Sequence, residues 1–192
     1  SQDTENPIDI NTTIITCESE KFDIIPGDIN LSSLDVELAN KEKSYNILKN
    51  LLSKINKNYD YIIIDCPPSL GVNTVNALTA STDTIIPIQC EFYALEGLHQ
   101  VLNLIDIVKR QMNPDINIMG VVFTMFDSRN NLSKEVVDTV HEYLNGKIFN
   151  TKIPRNVRLA EAPSYGKSIF QYDSQSAGAE NYLNLAKEIM SK

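Results

Sequence analysis

The stretch Tyr59-Asp60-Tyr61-Ile62-Ile63-Ile64-Asp65-Cys66-Pro67-Pro68-Ser69-Leu70-Gly71 constrains the fold more than any other. Three consecutive β-branched residues without polar alternation suit a strand covered on both faces, as in a parallel sheet flanked by helices. Asp65 ends the apolar run, and two prolines and a glycine then forbid the strand from continuing. In open α/β sheets ligands bind in the crevice beyond the carboxyl ends of the strands, so Asp65 is a candidate site residue. Its plainer alternative is a carboxylate that caps the turn or the following helix.

The rest of the chain supplies matching elements. Thr12 to Cys17, Phe22 to Ile25, Thr84 to Ile88, Ile116 to Met125 and Ile148 to Ile153 have strand composition. Helices are expected around Leu31 to Leu38, from Tyr45 to Ile55 after the N-cap candidate Ser44, over Val72 to Ala80, Phe92 to Met112, Leu132 to Leu144 and Ala179 to Met190. Strands alternating with helices at this spacing predict an α/β fold with a three-layer, mostly parallel sheet. The 192 residues suit one domain spanning 1–192.

Composition narrows the function classes. With 42% hydrophobic and 22% charged residues the chain is ordinary for a globular protein, and no apolar run approaches the ~18 residues of a membrane span. No secretory leader opens the sequence, and Cys17, Cys66 and Cys90 stand in no CxxC spacing, so reduced thiols in the cytoplasm are expected. Those cysteines with His99 and His141 show no metal-ligand spacing, which sets aside a metal centre or thiol catalysis. The net charge of -8 opposes a generally basic nucleic-acid binder. Its distribution is uneven, however: residues 1–50 carry ten acids and four bases, while 152–167 carries four bases and one acid. Screening over ~8–10 Å lets such a basic edge meet phosphates locally.

Three further stretches follow predicted strands on the edge that Asp65 occupies: Pro87 to Gly97, Thr124-Met125-Phe126-Asp127-Ser128-Arg129, and Ile153-Pro154-Arg155-Asn156-Val157-Arg158-Leu159-Ala160-Glu161-Ala162-Pro163-Ser164-Tyr165-Gly166-Lys167. Taken with the Ile62 to Gly71 stretch, they resemble the ParA/Soj family of chromosome and plasmid partition ATPases, deviant Walker-A relatives of MinD. The resemblance runs from about Phe22 to Met190. It implies a P-loop NTPase fold of the MinD/ParA type, with ATP and Mg²⁺ as ligands. By it, Asp65 is the Walker B aspartate, organising Mg²⁺ through water rather than by direct ligation, and Cys66, Pro67, Pro68, Ser69 and Gly71 form the switch that senses the γ-phosphate. Pro154 and Asn156 correspond to residues that hold adenine, beside Met125, Phe126 and Asp127. Arg129 and Arg158 correspond to arginines that bind DNA without sequence preference. The family also implies a homodimer, a ParB-type partner, no membrane, and a cytoplasmic, nucleoid-associated life.

Each assignment has a structural alternative. Pro154 ends a strand, Asn156 caps a turn, Met125 and Phe126 fill a core, and Arg129 and Arg158 are solvated cations. The chain also departs from the family in having no GxxxxGK[ST] or KGGxGKT loop, the backbone cradle for β- and γ-phosphates. Gly166-Lys167-Ser168 is a poor substitute: Glu161 lies where the loop begins, Pro163 removes an N–H, and Ile169 to Tyr172 reads as a strand. The expectations are therefore a fold incomplete at its N-terminus, weak nucleotide binding, no hydrolysis by this chain alone, and self-association through an unpaired sheet edge. One alternative is a non-catalytic paralogue acting as a dimerisation module. The other, a phosphoacceptor receiver domain, needs an acidic pair after the first strand.

Overall fold

A computed structural model of the chain describes residues 8–28, 30–31, 44–91, 93–144 and 146–192. They fall into two compact units, one built from residues up to 82 with 104–116, the other from 83–103 with 117–192.

In the first unit, Asp9 accepts a hydrogen bond from the Asn11 N–H and starts a 3-10 turn, Ile10–Thr13, where a strand was expected from Thr12. Two short antiparallel strands follow, β1 (Ile15–Cys17) and β2 (Phe22–Ile24), in the register Ile15↔Ile24. Asp23, on β2, ties this hairpin to the segment ahead of Asp65. Its carboxylate accepts from Lys57 Nζ at 2.6 Å, from the Tyr59 hydroxyl, and from Thr16 Oγ1 at 2.8 Å. Helix α1 (Ile47–Leu52) is joined to α2 (Val72–Ala80) by the buried Asn76 side chain, which accepts from the Leu48 N–H. Asn113, also buried, donates to the Leu78 and Ser81 carbonyls at 2.9 and 2.7 Å, satisfying carbonyls at the C-terminal end of α2. The helix predicted around Leu34, Val36 and Leu38 and the side chain of Ser44 lie outside the described residues.

The predicted central strand is not found. Tyr61 to Pro67 has no ladder partner among the described residues, and Ile63 is 92% exposed. A β-branched run favours a pleated surface only when neighbouring strands and covering helices supply the contacts, and among the described residues no strand pairs with this one.

The second unit carries the parallel sheet. β3 (Asp83–Gln89) pairs with β4 (Asn117–Thr124), with a register shift between Thr84 and Ile85. The crossover is helix α3 (Ala94–Gln111), which belongs to this unit as far as Asn103 and to the first unit from Leu104, and on which Leu98, Ile105 and Val108 are buried at helical spacing. β4 is the core strand, with Val121 and Phe123 fully buried, and Gly120 leaves room for the Phe149 ring. Residues 148–154 run parallel to β4 on its other edge, through the bridges Val121↔Ile148 and Phe126↔Pro154. The sequence reads as one strand over Ile148 to Ile153. The segment breaks in the middle because Glu188 takes the N–H groups of Asn150 (2.7 Å) and Thr151 (3.0 Å) that a strand would give to its neighbour.

Helix α4 (Asn131–Leu144) buries Val136, Val137 and Val140. The chain then forms α5 (Val157–Glu161), a 3-10 turn (Ala162–Tyr165) closed by Gly166 at φ 63°, and α6 (Ile169–Tyr172). α6 corrects the strand reading of Ile169 to Tyr172: Ser168 accepts from the Gln171 N–H at 3.2 Å, an N-cap that turns an apolar tetrapeptide into a helical turn. The last helix, α7 (Ala177–Met190), is capped in the same way by Ser176. Leu159 joins α5 to the two apolar clusters beneath, one formed by Val122, Phe149, Ile153 and Leu185, the other by Ala162, Ile169 and Ala179.

Candidate functional site

The sheet of the second unit determines where its predicted site residues lie. β4 ends at Thr124, and Met125 turns the chain with φ 51°, a left-handed conformation that a non-glycine side chain adopts at a cost of order 1 kcal/mol. Phe126 is then drawn against the neighbouring segment: its N–H donates to the Ile153 carbonyl at 3.1 Å, and its own carbonyl accepts from the Arg155 N–H at 3.4 Å. Met125, Phe126 and Asp127 therefore stand beside Pro154 and Asn156, at the carboxyl ends of two parallel segments. Ligands of α/β sheets bind at such edges. Pro154, Phe126 and Asn156 are half-buried, and Met125 is exposed.

The polar groups of this corner are mostly committed. Asn156 Oδ1 accepts from the Arg158 and Leu159 N–H groups at 2.8 and 3.3 Å and so N-caps α5. Two N–H donors fix the oxygen's position, which turns the Nδ2 donors away from the helix. Asp127 grips Arg129 in a two-pronged pair, Nε to Oδ1 at 3.0 Å and Nη2 to Oδ2 at 2.9 Å, and also accepts the Arg129 N–H. Those bonds from the Arg129 side chain and backbone hold the Asp127 carboxyl down at about 2. Arg158 donates to Glu161 at 3.0 Å and lies 3.4 Å from Asp173, while the Tyr172 hydroxyl donates to the same Glu161 oxygen. Both predicted DNA-contacting arginines are thus exposed and paired. Reading the sequence did not single out Lys152, whose Nζ sits 4.6 Å from the centre of the Phe126 ring. A lysine two residues before Pro154 on an extended segment was the available signal.

Asp65 and the turn after it belong to the first unit. Asp65 is exposed and makes no hydrogen bond or ion pair among the described residues, so the capping alternative has no support in its contacts. The turn is fastened to α2 at its far end: Thr74 Oγ1 donates to the Ser69 carbonyl, and Val75 N–H to the Gly71 carbonyl at 3.1 Å. Burial, then the nearby Asp65 carboxylate, pushes the Cys66 thiol up, which disfavours a nucleophilic thiolate. All three cysteines are free. Among the described residues no three His, Cys, Asp or Glu side chains gather where they could hold a metal, and no helix is long and apolar enough to cross a membrane.

A family profile described as an AAA domain matches residues 4–118. The sporulation initiation inhibitor protein Soj of Bacillus subtilis is 52% identical over 170 residues, 88% of this chain and 67% of that protein. Among solved structures, a plasmid partition protein from Borrelia burgdorferi matches 94% of this chain with 68% of its own, at TM-score 0.66 and 28% identity. Cobyrinic acid a,c-diamide synthase from Mycobacterium smegmatis, solved with bound ADP and magnesium, matches 94% of this chain with 66% of its own, at TM-score 0.77 and 31% identity. The chain spans about two thirds of the length of these proteins. Its likeness to Soj exceeds its likeness to the synthase by some twenty points of identity, and chromosome partitioning proteins ParA of Myxococcus xanthus and Caulobacter vibrioides are 46% and 44% identical to it. The fold is that of the P-loop ATPases of ParA/MinD type. The chain belongs to the ParA/Soj family of partition ATPases.

Proposed function

We propose that this chain is the base-binding and DNA-facing part of a partition ATPase that segregates chromosomes or plasmids, its two units forming one ATPase domain over 1–192. The observation that carries the reading is the docking of Pro154 and Asn156 against Met125 to Asp127 at the strand ends. In this reading the half-buried Pro154 and Phe126 offer flat apolar faces to a purine, and Asn156, its oxygen used by the cap, offers N–H donors to a ring nitrogen. Asp65, exposed and unpaired, orients water around Mg²⁺, which when bound neutralises charge on the phosphates. The Cys66 to Gly71 turn, fastened to α2 at its far end, is the element that responds to the γ-phosphate. Arg129 and Arg158 meet DNA phosphates, contacts that position a protein without reading sequence. ATP binding drives homodimer formation, a ParB-type partner stimulates hydrolysis, and the protein works in the cytoplasm on the nucleoid.

The 192 residues contain no GxxxxGK[ST] loop, so weak nucleotide binding and no turnover are expected of this chain alone. The same observation favours a second reading, a non-catalytic paralogue that dimerises with a P-loop-bearing partner. Photolabelling with an azido-adenine nucleotide tests the base site: label is expected on peptides containing 125–127 or 153–156, and label confined elsewhere would overturn it. Phosphate release should stay at background, and Mg²⁺-dependent release abolished by Asp65→Ala would overturn the proposed inactivity. Suppression of a full-length relative's ATPase by added chain would support the second reading.

A further inference from the structure

The two arginines with a proposed DNA role are the ones whose charge is already answered. Asp127 holds Arg129 by both oxygens, and Glu161 and Asp173 flank Arg158. A phosphate reaching either must displace a carboxylate, and the freed carboxylate then repels it. Arg155 stands differently. It is exposed, it has no carboxylate within ion-pair distance among the described residues, and it lies one step past the Phe126↔Pro154 bridge, level with Asp127. Its backbone N–H is bound to the Phe126 carbonyl, so the Cα is fixed by the sheet while the guanidinium is unengaged. Asp127 is claimed by Arg129 and feels Arg155 only as the weakest of its cationic influences. Lys152 lies over the Phe126 ring, and Arg158 follows three residues later, so Arg155 stands between two other cations in the stretch 152–167, where bases outnumber acids four to one.

The geometry points to Arg155 as the principal phosphate contact of a duplex-DNA-binding edge, with Arg129 and Arg158 recruited beside it as phosphate displaces Asp127 and Glu161. This rests on the DNA-binding reading above and adds to it a residue and an order of engagement. A planar guanidinium on a rigid backbone meets two phosphate oxygens with no competing partner to dislodge. Each neutralised phosphate releases about 0.9 counterion, so losing one contact weakens binding about eightfold at 0.1 M salt. Removing a competing carboxylate should tighten binding about two- to fivefold, the range set by exposed ion pairs.

Fluorescence anisotropy with duplexes of unrelated sequence, over a salt series, is the experiment. Arg155→Ala is expected to weaken every duplex about eightfold and to lower the salt slope by about 1, more than Arg129→Ala or Arg158→Ala does. Arg155→Lys should recover most of the affinity, and Asp127→Asn should bind more tightly than the unsubstituted chain. Equal affinity and slope for Arg155→Ala and the unsubstituted chain would overturn the inference while leaving the DNA-binding reading intact. No binding by the unsubstituted chain at low salt would overturn both. Circular dichroism checks folding, which truncation of an exposed, unpaired side chain leaves unchanged.

Discussion

Asn156 occupies two roles that one pair of substitutions separates. Its oxygen closes the first turn of α5 with bonds of 2.8 and 3.3 Å, and the cap holds a five-residue helix that anchors Leu159 in the core. Asn156→Ala leaves two N–H groups unanswered, an N-cap loss of about 1 kcal/mol. For a chain of this size that lowers the melting temperature by about 2–4 °C. Asn156→Asp keeps an oxygen acceptor of equal or better capping strength, so its melting temperature should stay within about 1 °C. The aspartate has no N–H to offer a purine, however, and loss of one such bond weakens adenine nucleotide binding about fivefold or more. Thermal melts by circular dichroism and nucleotide titrations followed by NMR read the two effects apart. An unchanged melting temperature in Asn156→Ala refutes the cap as a stabilising contact. Full nucleotide affinity in Asn156→Asp refutes the base contact, whatever the melt shows.

Other outcomes follow from single contacts. Bonds from Lys57, Tyr59 and Thr16 hold Asp23 down at about 2 with its side chain only 7% exposed, while an unfolded aspartate titrates at 3.8. Because the folded value is depressed, its stabilisation is present above about pH 4 and is lost as pH falls toward 2. Denaturant unfolding should lose stability across that window in the wild type and show a smaller loss in Asp23→Asn; equal loss in both would contradict the assignment. At Gly178 an added Cβ would come within 2.6 Å of Leu159 Cγ and 3.0 Å of both its methyls. Gly178→Ala should therefore destabilise by ~1–2 kcal/mol, overpacking less the helix preference for alanine. In a Leu159→Ala background the same change should be neutral or stabilising, and a urea double-mutant cycle without that reversal would refute the clash.

What the sequence makes legible and what it hides divide along one physical line. Elements whose pattern carries its own partner were readable: the 3.6-residue stripe of α3 and the buried run of β4. Elements decided by distant partners were not. Ile62 to Ile64 has the composition of a core strand and no neighbour among the described residues, so its pattern reports what it needs rather than what it has. Glu188, thirty-eight residues from Asn150, interrupts the segment 148–154, and no local signal announces it. At the site, the nearness of Phe126 to Pro154 was an inference from parallel strands ending together, and the ladder bears it out. The pairing of Asp127 with Arg129, written in the sequence as neighbours two apart, was passed over because charged residues in a loop are by default solvated.

Two proposed contacts stand behind the function, an adenine at the strand-end corner of 125–127 and 153–156 and Mg²⁺ held through water at Asp65. An ATP·Mg²⁺ titration of the ¹⁵N-labelled chain, taken to millimolar nucleotide, tests this directly. The expected result is saturable shifts in the amides of Met125 to Asp127, Lys152, Arg155 and Asn156, together with Mg²⁺-dependent shifts from Asp65 to Gly71. Shifts confined to other residues, or none at all, would contradict it.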